Sequence, residues 1–392
     1  MTDLHEFRAA TRAWLEENCP DEMRQPMSEA DVCWGGRNWT FQSQAQQDWL
    51  KRMAAKGWTV PTWPTVCGGA ALSGDQDRIL KEEMARINAR PPLQSFGIWM
   101  LGPALLAFGT DAQKQHFLPQ IARGEIRWCQ GYSEPGAGSD LASLQTKGVD
   151  CGDHFEVSGQ KIWTSYADQA DWIFCLVRTE PEAVKHKGIS FLLFDMASPG
   201  VTTKPIQLIS GSSPFCETFF DAVKVPAEQI VGDRGNGWTI AKYLLTHERE
   251  MIGATDSPLF GSEDLVEAAR DALGLDDQGR LDDPILRGRI ADFLIDEIAF
   301  DAELARAKSW IRAGKQLGAE SATLKYTGTE LNKRRQELLM AAGGLDALEW
   351  DFTDAAADEK ASLWLRSKGN SIEGGTSEVM LSILSKAVLE LG

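Results

Sequence analysis

Residues 131–140 read Gly-Tyr-Ser-Glu-Pro-Gly-Ala-Gly-Ser-Asp, and residues 159–165 read Gly-Gln-Lys-Ile-Trp-Thr-Ser. Outward from this pair the patterning changes twice. Before about Gly124 the apolar residues recur at helical spacing. From Arg127 to about Val231 short runs rich in Val, Ile, Phe and Trp alternate with Gly, Pro and Asp. After Gly237 helical periodicity returns. The fold class expected is α+β: an N-terminal helical domain over 1–124, a central β-barrel or sandwich over 125–232, and a C-terminal helical bundle over 233–392.

The first block reads as an entry helix over 3–18 with Leu4, Phe7, Ala10, Trp14 and Leu15 on one stripe, ending near Pro20. An aperiodic stretch follows over 21–41. Helices are expected over Ser43–Lys56, Asp75–Asn88, Gly97–Phe108 and Asp111–Arg123, with Pro61, Pro64 and Gly57 breaking the pattern between the first two. In the middle block the strand signals are His154–Val157, Trp172–Arg178, Ile189–Asp195, Val201–Ile206 and Cys216–Val225. Pro199-Gly200 and Ser212-Ser213-Pro214 mark turns, and the spacing suits an antiparallel barrel or sandwich of roughly 110 residues. A polar stretch over Gly274–Asp283 separates two helices of the last block.

Composition excludes several classes. With 392 residues, 43% of them apolar, the chain can bury substantial cores. The net charge of -17 argues against nucleic-acid binding, which needs concentrated Lys and Arg. No apolar run has the length of a membrane span. The acidic start, Met1-Thr2-Asp3-Leu4, leads directly into helical patterning with no basic and apolar targeting segment, so a cytoplasmic location is expected. Cys19, Cys33, Cys67, Cys129, Cys151, Cys175 and Cys216 form no Cys-x-x-Cys pair and read as reduced thiols. The histidines, at 5, 116, 154, 186 and 247, show no ligand spacing, and no metal site is expected.

The chemistry lies in the opening pair of stretches. Gly131, Gly136 and Gly138 around Pro135 make a loop whose backbone can approach a flat ligand or a phosphate, and Ser133 and Ser139 add hydroxyls. A Gly-rich turn between strands is by itself commonly just a turn. This one is not of the dinucleotide Gly-x-Gly-x-x-Gly type, because no hydrophobic strand is expected before it and no helix after it. Trp163 with Ser165 offers an aromatic plane beside a hydroxyl, suited to a heteroaromatic ring, although a core tryptophan in a strand is the simpler reading.

Together with Glu-Gly-Gly-Thr-Ser-Glu-Val at 373–379, these stretches stand in the order and spacing of one family, and the chain strongly resembles the acyl-CoA dehydrogenases. The helix, barrel, helix layout of that family covers nearly the whole chain. The resemblance implies the acyl-CoA dehydrogenase fold with a C-terminal four-helix bundle. It also implies an FAD enzyme of lipid metabolism that forms a double bond between Cα and Cβ of an acyl-CoA and passes electrons to an electron-transfer flavoprotein. Carried over by residue, Tyr132, Ser133 and Gly138 belong to the flavin loop. Trp163 lies against the isoalloxazine, and Ser165 hydrogen-bonds near N5 and O4. Ser139 faces the thioester, and Thr376 and Glu378 approach FAD from the bundle. A homotetramer or an α2β2 heterotetramer is the assembly implied.

The reaction needs a carboxylate base for the α-proton. Many family members carry it just before the single glycine of a Glu-Gly-Thr turn, but here aligning Gly375-Thr376 places Gly374 at that position and leaves Glu373 one residue early. A second family solution uses the helix after the barrel. There Glu248 falls on the stripe of Ile240, Ala241, Leu244, Leu245, Met251 and Ile252, where a carboxylate is unfavourable unless paired or used. Arg249 matches the Arg that follows this base near the acyl pocket. Glu248 is therefore favoured as base, with Glu373 as the alternative; the bland readings are an ion pair for Glu248 and a rim carboxylate for Glu373.

Two stretches depart from the family. Its Arg-x-x-Phe-Gly segment for the FAD pyrophosphate has no good counterpart near 283–293, where Arg287 and Arg289 stand, and its Gly-Gly-x-Gly-Phe segment reads Ala342-Gly343-Gly344-Leu345-Asp346. These departures suggest a divergent branch in which two different subunits share the FAD sites, and the 209–217 stretch with Thr246-His247-Glu248-Arg249-Glu250 resembles large subunits of two-component dehydrogenases of the pimeloyl-CoA or steroid side-chain type. Two other classes remain open: a non-catalytic partner subunit, and a flavin monooxygenase or oxidase on the same fold.

Overall fold

The computed structural model describes residues 4–252, 264–313, 317–349 and 360–391, with the backbone only at 29, 246–252 and 312. The chain divides into two compact units, one of residues 1–205 with 215–244 and one of 206–214 with 245–392.

The first unit opens with helices α1 (Leu4–Asn18), α2 (Gln44–Ala55), α3 (Gly74–Arg86), α4 (Gly102–Phe108) and α5 (Asp111–Ala122). Three of these starts have a local cause. Ser43 caps α2, and Ser73 and Thr110 form reciprocal capping boxes with Gln76 and Gln113 at α3 and α5. The apolar stripes of α1, α2 and α3 meet through Leu15, Trp49, Met53 and Leu80, with Trp58 from the turn after α2 in the same cluster.

Beside that core, α3 presents one fully buried carboxylate, Glu83. It accepts from Arg12 at 2.9 Å, Arg8 at 2.9 Å and Arg86 at 2.8 Å. The Arg12 hydrogen bond, then those of Arg86 and Arg8, outweigh burial and pull its pKa down to about 2. A depressed carboxylate binds fewer protons folded than unfolded, so its contribution is present above the ordinary carboxylate range and fades as pH falls towards about 2. Glu83→Gln should lower stability by about 2 kcal/mol at neutral pH. The gap in thermal midpoint between variant and wild type should narrow on acidification, and a gap that does not change with pH would refute the assignment.

Eight strands follow: β1 (Trp128–Gly131), β2 (Lys147–Asp150), β3 (His154–Ser165), β4 (Trp172–Arg178), β5 (Ile189–Asp195), β6 (Val201–Ile206), β7 (Phe215–Pro226) and β8 (Ile230–Val231). They form one sheet in the order β6-β7-β3-β2-β4-β5-β8, with β1 on β4. The sheet is mixed, not wholly antiparallel as the turn spacing implied, because β1 and β2 both pair parallel with β4. In β4 and β5 every residue from Ile173 to Val177 and from Ile189 to Phe194 is buried, so both faces are covered and the strands read as unbroken apolar runs. One face packs Cys129, Ile173, Cys175, Val177, Leu192 and Val223. On the other, Phe174 stacks on Phe191 at 5.9 Å.

Helix α6 (Gly237–Ile252) begins in the first unit, where Ile240, Ala241 and Leu244 are buried. The second unit contains α7 (Leu265–Leu273), α8 (Pro284–Arg312), α9 (Ser321–Gly343), α10 (Lys360–Ser367) and α11 (Ser377–Ile383). Asp264 and Asp283 cap α7 and α8. Phe293, Phe300 and Leu304 of α8 pack with Leu324, Leu331, Leu338 and Leu339 of α9 in the core of this bundle. Among the described residues no helix is long and apolar enough to cross a membrane.

Candidate active site

Strand β1 runs straight into the Gly-rich loop, so the loop does follow a strand, contrary to the expectation from sequence. The signal was hidden because Gln130 and Gly131 interrupt the apolar run. At Glu134 the chain folds back on itself, with Glu134 and Ala137 exchanging both backbone hydrogen bonds at 3.0 Å across Pro135-Gly136.

Beneath this turn lies a buried ion pair. Lys161, fully buried in β3, donates from Nζ to Glu134 Oε1 at 2.8 Å and to the Tyr132 carbonyl at 3.1 Å. The same carboxylate accepts the Gln145 and Thr146 N–H groups at 2.6 and 2.9 Å. Burial works to raise the Glu134 pKa, but the Lys161 charge and these hydrogen bonds prevail and hold it below the ordinary value. The Ile162 N–H donates to the Ser133 carbonyl at 2.9 Å. The two motifs are thus fastened side by side. Glu134 and Lys161 were missed by the reading of single side chains, although both lie inside the quoted stretches; what marks them is a charge flanked by residues that must be buried.

At Trp163 the ladder between β3 and β7 slips, and Trp163 takes φ +60°. A bulky residue in the left-handed region is strained and needs surroundings that impose it. The bulge turns the ring outward: Trp163 is 52% exposed and meets Phe215 edge-on at 6.0 Å. It is not a core tryptophan. Ser165 is half-buried two residues on. Tyr132 is buried, its ring edge-on to Phe174 and Phe191 at 6.1 and 6.4 Å, while Ser133 is half-buried and Gly138 and Ser139 are exposed. Side chains at Gly136 or Gly138 would meet nothing within 4 Å, so the loop keeps an open face. Among the described residues the hydroxyls of Ser133, Ser139 and Ser165 have no protein partner.

Behind this segment Tyr166, also left-handed at φ +51°, packs on Trp34 at 4.9 Å. The buried Arg127 guanidinium lies 4.9 Å from the Trp34 ring and 5.0 Å from that of Tyr166. Trp34 continues to Phe96 and Trp99. This aromatic set was not legible from spacing, since its members come from distant segments.

The second unit holds the other quoted motif. Glu373 is not an open rim carboxylate: it accepts from Arg366 at 2.7 Å and from the Asn370 side chain at 2.6 Å. Gly374 and Gly375 follow at φ +63° and +100°, conformations that glycine alone adopts readily. Thr376 caps α11 by accepting the Val379 N–H at 3.2 Å. Glu378 is exposed in the first turn, and its own backbone N–H, then the Thr376 hydroxyl, lower its pKa. Arg287 donates to the Leu281 carbonyl at 3.1 Å within the unit. The helix expected to carry Glu248 and Arg249 is present as α6, but both side chains lie outside the described residues. No group of His, Cys, Asp and Glu that could hold a metal ion occurs among the described residues.

The arrangement joins an exposed aromatic plane, unpartnered hydroxyls and an open glycine loop on a rigid sheet, as flat-cofactor chemistry requires. Comparison with known proteins agrees along the whole chain. Residues 2–125, 129–223 and 235–389 match the N-terminal, middle and C-terminal domains of acyl-CoA dehydrogenase. The chain is 36% identical over 393 residues to acyl-CoA dehydrogenase IpdE1 of Mycobacterium tuberculosis, spanning all of this chain and 98% of that one. It superimposes on the solved Tcur3481-Tcur3483 steroid ACAD with a TM-score of 0.77 at 29% identity, covering 99% of this chain and 97% of that one. For the ChsE4-ChsE5 complex from Mycobacterium tuberculosis the TM-score is 0.71 at 29% identity, over 100% and 98% of the two chains. With all three domains matched in order and full-length identity at this level, the chain belongs to the acyl-CoA dehydrogenase family of oxidoreductases.

Proposed function

We propose that the protein binds FAD and desaturates an acyl-CoA thioester between Cα and Cβ, with an electron-transfer flavoprotein as electron acceptor. The observation that carries this reading is the fastening of the two motifs by Lys161 and Ile162, which leaves the Trp163 plane and the Ser133 and Ser165 hydroxyls free beside one another. These residues fit a flavin, Trp163 by packing and the serines by hydrogen bonding to polar ring edges. Thr376 and Glu378 belong to the cofactor-binding set by the family resemblance. When bound, FAD supplies a two-electron acceptor.

Glu248 removes the α-proton. Glu373 is the weaker choice, because a carboxylate held by Arg366 and Asn370 would have to give up those hydrogen bonds to take a proton. Gly374 has no side chain to offer. Arg249 and Ser139 line the acyl and thioester side. Exposed Ile285, Ile295 and Ile298 on α8 support coverage by a further chain. The assembly is a homotetramer or an α2β2 heterotetramer, which light scattering of the purified protein, alone and with a co-expressed dehydrogenase chain, distinguishes.

Anaerobic titration of the flavoprotein with linear, branched, dicarboxylic and steroid acyl-CoAs tests the reaction. Bleaching of the flavin absorbance by one class is expected. Purified protein without flavin would instead favour a partner subunit, and peroxide with hydroxylated product an oxidase or monooxygenase. Glu373→Gln should keep reduction within about threefold of wild type, since an amide can still accept from Arg366; a loss of about a hundredfold or more would transfer the role of base to Glu373.

A further inference from the structure

Arg127, the residue before β1, is buried, and its guanidinium is satisfied on one side only. Nη1 donates to the Gln169 side-chain oxygen at 3.0 Å, whereas Nε and Nη2 are enclosed and find no acceptor among the described residues. These two atoms share one edge of the planar group, and their N–H bonds run parallel. That is the geometry which takes a carboxylate through two hydrogen bonds at once. Two carboxylates stand nearby without using the edge. Asp171 accepts the backbone N–H groups of Arg37 and Arg127 and pairs with the Arg37 side chain, and Asp168 accepts the Cys216 thiol. Burial lowers the Arg127 pKa by more than the surrounding acidic groups raise it, so the charge is unfavourable where it sits. Interior charges are ordinarily paired.

The wall around this charge is aromatic. The guanidinium faces the rings of Trp34 and Tyr166, and the set runs on through Phe96, 5.9 Å from Trp34, to Trp99, 4.7 Å from Phe96. Trp99 Nε1 is a second enclosed donor with no acceptor among the described residues. All four rings are only partly buried, so the wall reaches the surface while the charge behind it does not. Gly36, at φ +114°, lets the chain after Trp34 close on Arg127, where a Cβ would lie 3.0 Å from the Arg127 Cβ. Tyr166 directly follows Ser165, and every one of these residues belongs to the first unit.

We propose that Arg127 receives a carboxylate carried by the acyl group at the end remote from the thioester, with Trp34, Phe96, Trp99 and Tyr166 seating the carbons between. The substrate class is thus a carboxyacyl-CoA. The proposal rests on the desaturation reading for the acyl-CoA itself, and the binding step makes and breaks no covalent bond. A half-buried ring turns aside to admit the carboxylate to the enclosed edge. Arg127 touches no reacting atom; it determines which acyl groups are held. CoA and FAD also carry anions, but an aromatic wall suits the carbons of an acyl group better than the hydrated phosphates of either.

The test is isothermal titration of the holoenzyme with pairs of ligands, a carboxyacyl-CoA and its methyl ester, over a series of chain lengths. Sulfur replaces Cβ in both, so that neither can be desaturated. Wild type should bind the free acid about 10- to 100-fold more tightly than the ester at the best length. Arg127→Met should bring the two within about threefold of each other, chiefly by weakening the acid. Arg127→Gln, polar but uncharged, should do likewise and decides the matter if Arg127→Met does not fold. Equal binding of acid and ester by wild type at every length would overturn the proposal, a measurement that stands even if neither variant folds. A folded variant that keeps the preference would overturn it too. Equal weakening of acid and ester would place the guanidinium on a CoA phosphate, and loss of flavin on an FAD phosphate; either result also overturns it. A wild type that prefers the acid, but whose flavin no acyl-CoA bleaches, would keep the anion site and remove the desaturation reading.

Discussion

Glu134→Gln is expected to lower the unfolding free energy by about 3–5 kcal/mol, the usual consequence of leaving one member of a buried ion pair without its counter-charge. Lys161 has no route to solvent, being fully buried behind the loop. The amide keeps one oxygen, enough for the Thr146 N–H or the Gln145 N–H but not for both and Lys161 as well. Denaturant unfolding of wild type and variant measures the difference, and a change below about 1 kcal/mol would show that the pair is not the fastening described here. The double variant Glu134→Gln/Lys161→Met should recover part of the loss, because it removes the stranded cation. Acid acts on the same pair. The Glu134 pKa is depressed, so its contribution is present above the ordinary carboxylate range and disappears as pH falls through the folded value. Since the pair holds Tyr132 beside Ile162 and Trp163, flavin should be released from the variant at denaturant concentrations where the wild type retains it.

Glu248→Gln should slow reduction of the flavin by substrate about a thousandfold while leaving FAD and acyl-CoA binding in place. The amide has nearly the shape of the carboxylate and cannot accept the α-proton, so the loss belongs to the proton-transfer step. Stopped-flow absorbance under anaerobic conditions reads it directly. Its counterpart Glu373→Gln removes a carboxylate already committed to Arg366 and Asn370 and should leave that step nearly intact. If the two variants exchange these behaviours, the base lies on the 373–376 turn and the α6 assignment is wrong.

Elements whose residues share one environment were legible in the sequence. Strands β4 and β5 announce themselves because both faces are buried, α1 through its apolar stripe, and α3 and α5 because their caps lie within a few residues. Strand β2, Lys147-Gly148-Val149-Asp150, was not, since its residues are mostly exposed and it is defined by pairing with β3 and β4. The middle of β3, Ser158-Gly159-Gln160-Lys161, looks like surface for a related reason: nothing local says that Lys161 is buried.

The sequence by itself determined the order of helical, β-rich and helical blocks, the three motif stretches and the family they identify, because each depends on residues close together along the chain. Only the tertiary structure decided which charges are structural. Glu134 meets Lys161 across 27 residues, and Lys325 meets the Gly375 carbonyl across 50. Trp163 turns outward because a bulge against β7 imposes a left-handed backbone that its own side chain disfavours. A buried charge or a strained residue is stabilised by partners distant in sequence, and local periodicity carries no record of them.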